Sequence, residues 1–236
     1  MLSIIIPAYN EEERIKATLT KVFDFLDNNN IESEVIVVDD GSQDDTVRVV
    51  EEMKKDNLRL LKNGNNRGKG YSVKKGMLNA KGELLLFSDA DLSTPIEELK
   101  QFLEHSDKAD VLVAARNLEG SEIKIKQPFF RSTLGKIFPF FVKHFLIKGI
   151  SDTQCGFKMF KRGCAMDIFK KQRVDGWSFD AEILFIASKH NYRIKQLPVE
   201  WNNDTRSKIN SFTDPPKMLL ELLKIRLNNI LGRYSE

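Results

Sequence analysis

Leu84-Leu85-Leu86-Phe87 is a continuous apolar run that stops at two carboxylates, Asp89 and Asp91, with only Ala90 between them. A run of this kind suits a strand covered on both faces, so the chain must supply helices above and below it. The rest of the first half does so. Strands are predicted at 3–7, 34–38, 58–61, 84–87 and 110–114, and the intervening stretches carry helical patterns. Short strands alternating with helices predict an α/β fold with a mainly parallel sheet flanked by helices.

In parallel sheets ligands collect beyond the carboxyl ends of the strands. Polar residues follow three of these predicted ends: Tyr9-Asn10-Glu11, Asp39-Asp40 and Asp89-Ala90-Asp91. Their recurrence predicts one crevice for an anion and a metal. Asp89 and Asp91 either hold a hard cation such as Mg²⁺ or Mn²⁺, which takes oxygen ligands and shares them with phosphates, or cap the helix that follows near Pro95. Helix starts are predicted at Asn10, with Glu13 completing a capping pair, at Ser42 with Asp45, and in Asn65-Asn66-Arg67-Gly68-Lys69-Gly70.

Charge is uneven although the net value is only +3. Residues 1–100 hold 14 Lys/Arg against 19 Asp/Glu, and residues 101–236 hold 23 against 15. An acidic first half beside a basic second half predicts a polyanionic partner for the latter. The two cysteines, Cys155 and Cys164, lack metal-ligand spacing and are expected as reduced thiols of a cytosolic protein. No leader or membrane-spanning anchor is predicted at the N-terminus.

After residue 115 the alternation fails. Residues 129–150 mix Phe129, Phe130, Phe138, Phe140 and Phe141 with Lys136, Lys143, His144 and Lys148. Its apolar part, Ile137 to Ile147, is too short and too charged to span a bilayer that needs about 20 apolar residues, so the segment reads as interfacial or as a lid over the core. Beyond it come a loop and strand at 152–160, a short helix at 163–169, a helix opened by Trp177-Ser178-Phe179-Asp180 and a strand at 193–199. The C-terminal helix, 215–231, carries a narrow polar stripe of Lys217, Glu221, Lys224 and Asn228 beside a wide apolar face. One domain over 1–236 is expected, with the crevice in residues 1–115 and a membrane-facing elaboration in residues 116–236.

Taken together, Pro7-Ala8-Tyr9-Asn10-Glu11, Val37-Val38-Asp39-Asp40-Gly41-Ser42, Asn66-Arg67-Gly68-Lys69-Gly70 and Asp89-Ala90-Asp91 resemble a family-2 glycosyltransferase with the GT-A fold. Asp152-Thr153-Gln154-Cys155-Gly156-Phe157-Lys158, Trp177 to Glu182 and the segment from Trp201 to Lys208 narrow the resemblance. They are similar to dolichyl-phosphate β-glucosyltransferases, with dolichol-phosphate mannose synthases as cousins. Ser93 departs from the glutamine that the mannose synthases carry there.

The resemblance implies a metal-dependent, inverting hexosyl transfer from a nucleotide sugar to dolichyl or polyprenyl phosphate. UDP-glucose is favoured over GDP-mannose as donor. The alternative is transfer to a saccharide hydroxyl in polysaccharide synthesis. Pro7, Tyr9, Glu11 and Asp40 would surround the nucleoside, Lys69 the diphosphate, and Asp89, Ala90 and Asp91 the cation and sugar. Arg116, Arg131, Arg206 and Lys208 are candidates for the acceptor phosphate, because the arginine fork matches phosphate oxygens. Asp180 is the candidate base or acceptor-orienting carboxylate, with simple N-capping as its alternative. The expected setting is peripheral, on the cytoplasmic face of a membrane, with no nucleic-acid partner.

Overall fold

The computed structural model describes residues 1–123, 142, 146–202 and 214–235. Seven strands form one sheet: β1 (Leu2–Ala8), β2 (Ser33–Asp39), β3 (Leu58–Lys62), β4 (Leu84–Ser88), β5 (Val111–Ala115), β7 (Phe157–Lys161) and β8 (Ile194–Pro198). Their order is β3-β2-β1-β4-β7-β5-β8. Every pairing is parallel except those of β7, which runs antiparallel to β4 and β5. A two-residue ladder joins β6 (Glu122–Ile123) to β9 (Glu200–Trp201).

Side chains alternate across a strand, so each strand feeds two cores. Ile5, Ile36, Val38, Leu85, Phe87, Val111 and Val113 point to one face. There they pack under α3 (Lys69–Asn79), α5 (Arg162–Lys171), α6 (Phe179–Lys189) and part of α7 (Asp214–Ile230). Ile4, Ile6, Val35, Val37, Leu86 and Leu112 point to the other face. That face is covered by α1 (Ile15–Asn28), α2 (Thr46–Glu52), a 3₁₀ turn at Ile96–Glu98 and α4 (Leu99–Glu104). The run 84–87 is buried on both sides, as its composition requires.

Several details differ from expectation: α2 starts at Thr46 and not at Ser42, whose Oγ accepts from the Asn10 N–H. Asn10 does not cap α1: it sits in the left-handed region at φ 53°, and its Oδ1 accepts a hydrogen bond from the Gln43 N–H. The helix starts only at Ile15, after a turn in which the Arg14 and Ile15 N–H groups both donate to the Glu11 carbonyl.

The polar stripe of α7 is split: Lys217 and Lys224 are exposed, whereas Glu221 and Asn228 turn inward. Glu221 accepts from the Ser178 N–H, and Asn228 is buried against Tyr234. Leu220, Leu223, Leu227 and Ile230 are instead 55–77% exposed. A buried anchor that needs hydrogen bonds has displaced leucines to the outside. Most of the segment 129–150, together with Arg131, Arg206 and Lys208, lies outside the described residues. Within that segment Val142 and Ile147 are core residues.

Candidate active site

All the parallel strands end at one edge of the sheet, and antiparallel β7 begins there. The loops 8–14, 40–45, 63–68, 89–95, 116–121, 152–156 and 175–178 therefore meet. The second of these is built on paired aspartates. Asp39 accepts from the N–H groups of Gly41 and Ser42 and shapes its own turn. Asp40, 4% exposed, accepts from Asn63 Nδ2 at 2.8 Å and from the N–H groups of Arg67 and Gly68 at 2.9 Å. It thus fastens the turn that opens α3 to the end of β2. Gly41, at φ +77°, lies under the Asn65 backbone, where a Cβ would come within 2.6 Å.

Tyr9 and Pro7 are half-buried beside this turn. Glu11 donates its N–H to Thr46 Oγ1 and pairs its carboxylate with Arg14. A cleft of about 470 Å³ is lined by residues 10–14, Gln43 and Asp44; Asp89 and Asp91 are not part of its lining.

At the end of β4 the Asp89 N–H donates to the Gly156 carbonyl, and Thr18 Oγ1 donates to the Ala90 carbonyl. Leu92, at φ 47°, turns the chain away, and the Ser93 N–H donates to Asp91 Oδ1 at 2.9 Å. Burial and the neighbouring Asp89 charge push the Asp91 carboxyl above the usual range; the Ser93 hydrogen bonds and Lys69 pull the other way. Lys69 Nζ lies 2.6 Å from Asp89 Oδ1 and close to the rings of Phe87 (5.2 Å) and Trp177 (5.5 Å). Burial works against its charge. The carboxylates of Asp89, Asp180 and Asp91 outweigh that and raise the ammonium's affinity for its proton.

Two adjacent carboxylates under mutual repulsion are a fitting donor set for a hard divalent cation. Among the described residues no cluster of three or more His, Cys, Asp or Glu side chains surrounds such an ion. The remaining ligands would have to be oxygens of a bound molecule or water.

Asp180 lies in the first turn of α6, and it is not a simple cap. Its carboxylate pairs with Lys158, and both side chains are almost completely buried. Lys158 Nζ also donates to the Cys155 carbonyl at 2.7 Å and lies over the Phe87 ring. The sequence names Lys158 within the Asp152–Lys158 motif but gives it no role. Its signal was available: a lysine inside Phe157-Lys158-Met159-Phe160, where one strand position must bury a charge and therefore needs a partner.

Arg116, at the end of β5, is held by Asp152. Its backbone N–H, Nε and Nη2 all donate to that carboxylate, at 3.0, 2.7 and 2.9 Å. Its guanidinium lies 5.2 Å from the Trp201 ring. Burial raises the Asp152 carboxyl, but the guanidinium and two N–H donors overcome this and hold it below the usual carboxylate range. This pair pins the loop 152–156, whose Gly156 presses on Asp89. The geometry thus brings Lys69, Asp89, Asp91 and Asp180 together. Asp40 sits behind the Lys69 turn, Arg116 is reached through Asp152, and Glu11 is turned toward Arg14.

Residues 3–169 match the family model described as glycosyl transferase family 2. A dolichyl-phosphate beta-glucosyltransferase of Dictyostelium discoideum is 37% identical over 99% of this chain and 76% of its own length. The protein of that name from Saccharomyces cerevisiae is 34% identical over 100% of the chain and 77% of its own. A similar solved structure is glucosyl-3-phosphoglycerate synthase from Mycobacterium tuberculosis in complex with Mn²⁺, UDP-glucose and phosphoglyceric acid. It superposes with a TM-score of 0.67 at 15% identity, covering 95% of this chain and 79% of that one.

Proposed function

The chain belongs to glycosyl transferase family 2, and from that premise we propose that it transfers glucose from UDP-glucose to dolichyl or polyprenyl phosphate with inversion at the anomeric carbon. The observation that carries this reading is the meeting of Asp89, Asp91, Lys69 and the Asp180–Lys158 pair at one sheet edge, in a chain about one-third identical along its whole length to glucosyltransferases of that acceptor class.

In the proposed reaction an oxygen of the lipid phosphate attacks the anomeric carbon. The bond from that carbon to the diphosphate oxygen breaks, and its electron pair leaves with UDP. A divalent cation, Mg²⁺ or Mn²⁺, supplies charge stabilisation to the departing diphosphate when bound. Asp91 and Asp89 would hold it. Lys69 would meet the diphosphate, and Pro7, Tyr9, Glu11 and Asp40 would frame the nucleoside. Asp40 acts in this reading mainly through the Lys69 turn that it fastens.

A lipid monophosphate needs little help from a base. Its second pKa is about 6, as in phosphorylated side chains, so near neutrality the nucleophile is already largely ionised. That agrees with Asp180 being engaged by Lys158: a paired carboxylate orients better than it abstracts. Arg116, with Arg131, Arg206 and Lys208, would offer positive charge to the acceptor.

A peripheral seat on the cytoplasmic face of a membrane completes the reading. Its support is the row Leu220, Leu223, Leu227, Ile230 and Leu231 exposed on and just beyond α7, beside Lys217 and Lys224. Among the described residues no helix is long and apolar enough to cross a membrane.

The test is incubation with radiolabelled UDP-glucose or GDP-mannose and dolichyl phosphate. Label should enter the lipid phase from UDP-glucose and be lost with chelator or Asp91→Ala. Transfer that persists in excess chelator would remove the metal role, and product formed only on a saccharide would remove the lipid acceptor.

A further inference from the structure

Three carboxylates converge on the end of β4, and two of them have an ammonium partner. Asp180 has Lys158, which is wholly buried in the core. Asp89 has Lys69, whose side chain remains 19% exposed and sits among the Phe87 and Trp177 rings.

The backbone beneath Lys69 is fixed. Gly68, at φ +100°, runs against the Asp175 carbonyl, where a Cβ would come to 2.4 Å; at Gly70 a Cβ would meet the Phe179 Cβ at 2.6 Å. Asp40 ties the same turn from below. The loop is locked, so any displacement of the ammonium has to come from rotation of the four-carbon Lys69 stem.

An ammonium 2.6 Å from Asp89 Oδ1 and a divalent cation about 2.1 Å from the same carboxylate would repel each other strongly. For the cation to enter, Lys69 must leave Asp89 and lose its ring contacts. That loss is offset only when another anion arrives to receive the ammonium.

Resting on the function proposed above, we infer that Lys69 is a tethered counter-cation that guards Asp89, so that the divalent cation and the nucleoside diphosphate enter only together. The diphosphate takes Lys69 as the cation takes Asp89. Lys158 cannot substitute, because it is sealed behind Phe87 and committed to Asp180 and the Cys155 carbonyl. With Asp89 and Asp91 as its carboxylates, the unguarded site would still bind a cation, though weakly.

Mn²⁺ binding to the full chain, followed by the loss of the free-ion EPR signal with and without UDP, tests this. The wild type should retain Mn²⁺ with UDP and hold it poorly alone. Lys69→Gln should bind Mn²⁺ alone at least about tenfold more tightly than the wild type, a coupling of ordinary size for linked sites. Lys69→Arg, which keeps the charge, should behave as the wild type. If the wild type retains Mn²⁺ with UDP but Lys69→Gln gains nothing without it, the guard is disproved while the metal site stands. If the wild type fails to retain Mn²⁺ even with UDP, the metal site itself falls and the guard with it.

A measurement that keeps Lys69 in place covers the case of a misfolded variant. In Trp201→Phe the remaining Trp177 emission should change with Mg²⁺ and UDP together. A change of the same size with Mg²⁺ alone would overturn the inference.

Discussion

Gly156 is where the site is most tightly drawn. A Cβ there would stand 1.8 Å from Asp89 Oδ2, so the residue at 156 decides where that carboxylate can be. Gly156→Ala should displace Asp89 at a cost of about 1–3 kcal/mol, the usual penalty of inserting atoms into a packed site. Calorimetry should record a weaker affinity for Mn²⁺ with UDP, and thermal melts a smaller relative loss. Lys158 makes a different prediction. Lys158→Met leaves the buried Asp180 charge without its ion-pair partner, which should cost about 3–5 kcal/mol in denaturant unfolding. Adding Asp180→Leu should restore most of that stability without restoring glucosyl transfer. Recovery of both would mean that the pair serves only the fold.

At the scale of elements, the loop 152–156 is tied to the end of β5 by the Arg116–Asp152 ion pair. Because the Asp152 carboxyl is depressed in the folded protein by Arg116 despite its burial, its contribution is fully present above the unfolded aspartate value of about 3.9. It is lost as pH falls through the lower folded value. Asp152→Asn should therefore flatten the acid limb of the stability–pH profile and leave the curve above pH 5 parallel to that of the wild type.

The C-terminal helix is fastened in a comparable way from the opposite side. Glu182, fully buried in α6, accepts from the Arg173 and Val174 N–H groups and from the Tyr234 hydroxyl. Burial pushes its carboxyl up, and these donors only partly offset it. Tyr234→Phe removes a donor from a buried acceptor and should cost about 1–3 kcal/mol by chemical denaturation. Since α7 also holds Ser178 through Glu221, that loosening should reach the α6 entrance that carries Asp180.

Across the whole molecule, the second half of the chain carries both the excess of basic charge and the exposed leucines. Residues 101–236 hold eight more basic than acidic side chains, and the leucines of α7 face outward. If this face meets lipid, Leu223→Lys with Leu227→Lys should weaken co-sedimentation with anionic vesicles. Thermal stability should stay within about 0.5 kcal/mol, because both residues are exposed. Unchanged vesicle binding would remove the peripheral seat from the proposed function.

The sequence by itself determined the layered α/β plan. An apolar run such as 84–87 can be satisfied only between two helical layers, and polar residues after successive strands must gather at one edge. It also exposed Asp89, Asp91, Lys69 and Asp180 as chemically charged choices. The tertiary structure alone decided how those charges pair. Lys69 with Asp89, Lys158 with Asp180 and Arg116 with Asp152 are separated by 20, 22 and 36 positions. No local periodicity encodes such contacts. The same holds for α7, where the sequence puts Lys217 and Lys224 in one polar stripe with Glu221 and Asn228. Hydrogen bonds to Ser178 and Tyr234 turned Glu221 and Asn228 inward, because a buried polar group with a partner is stable where an unpartnered one is not.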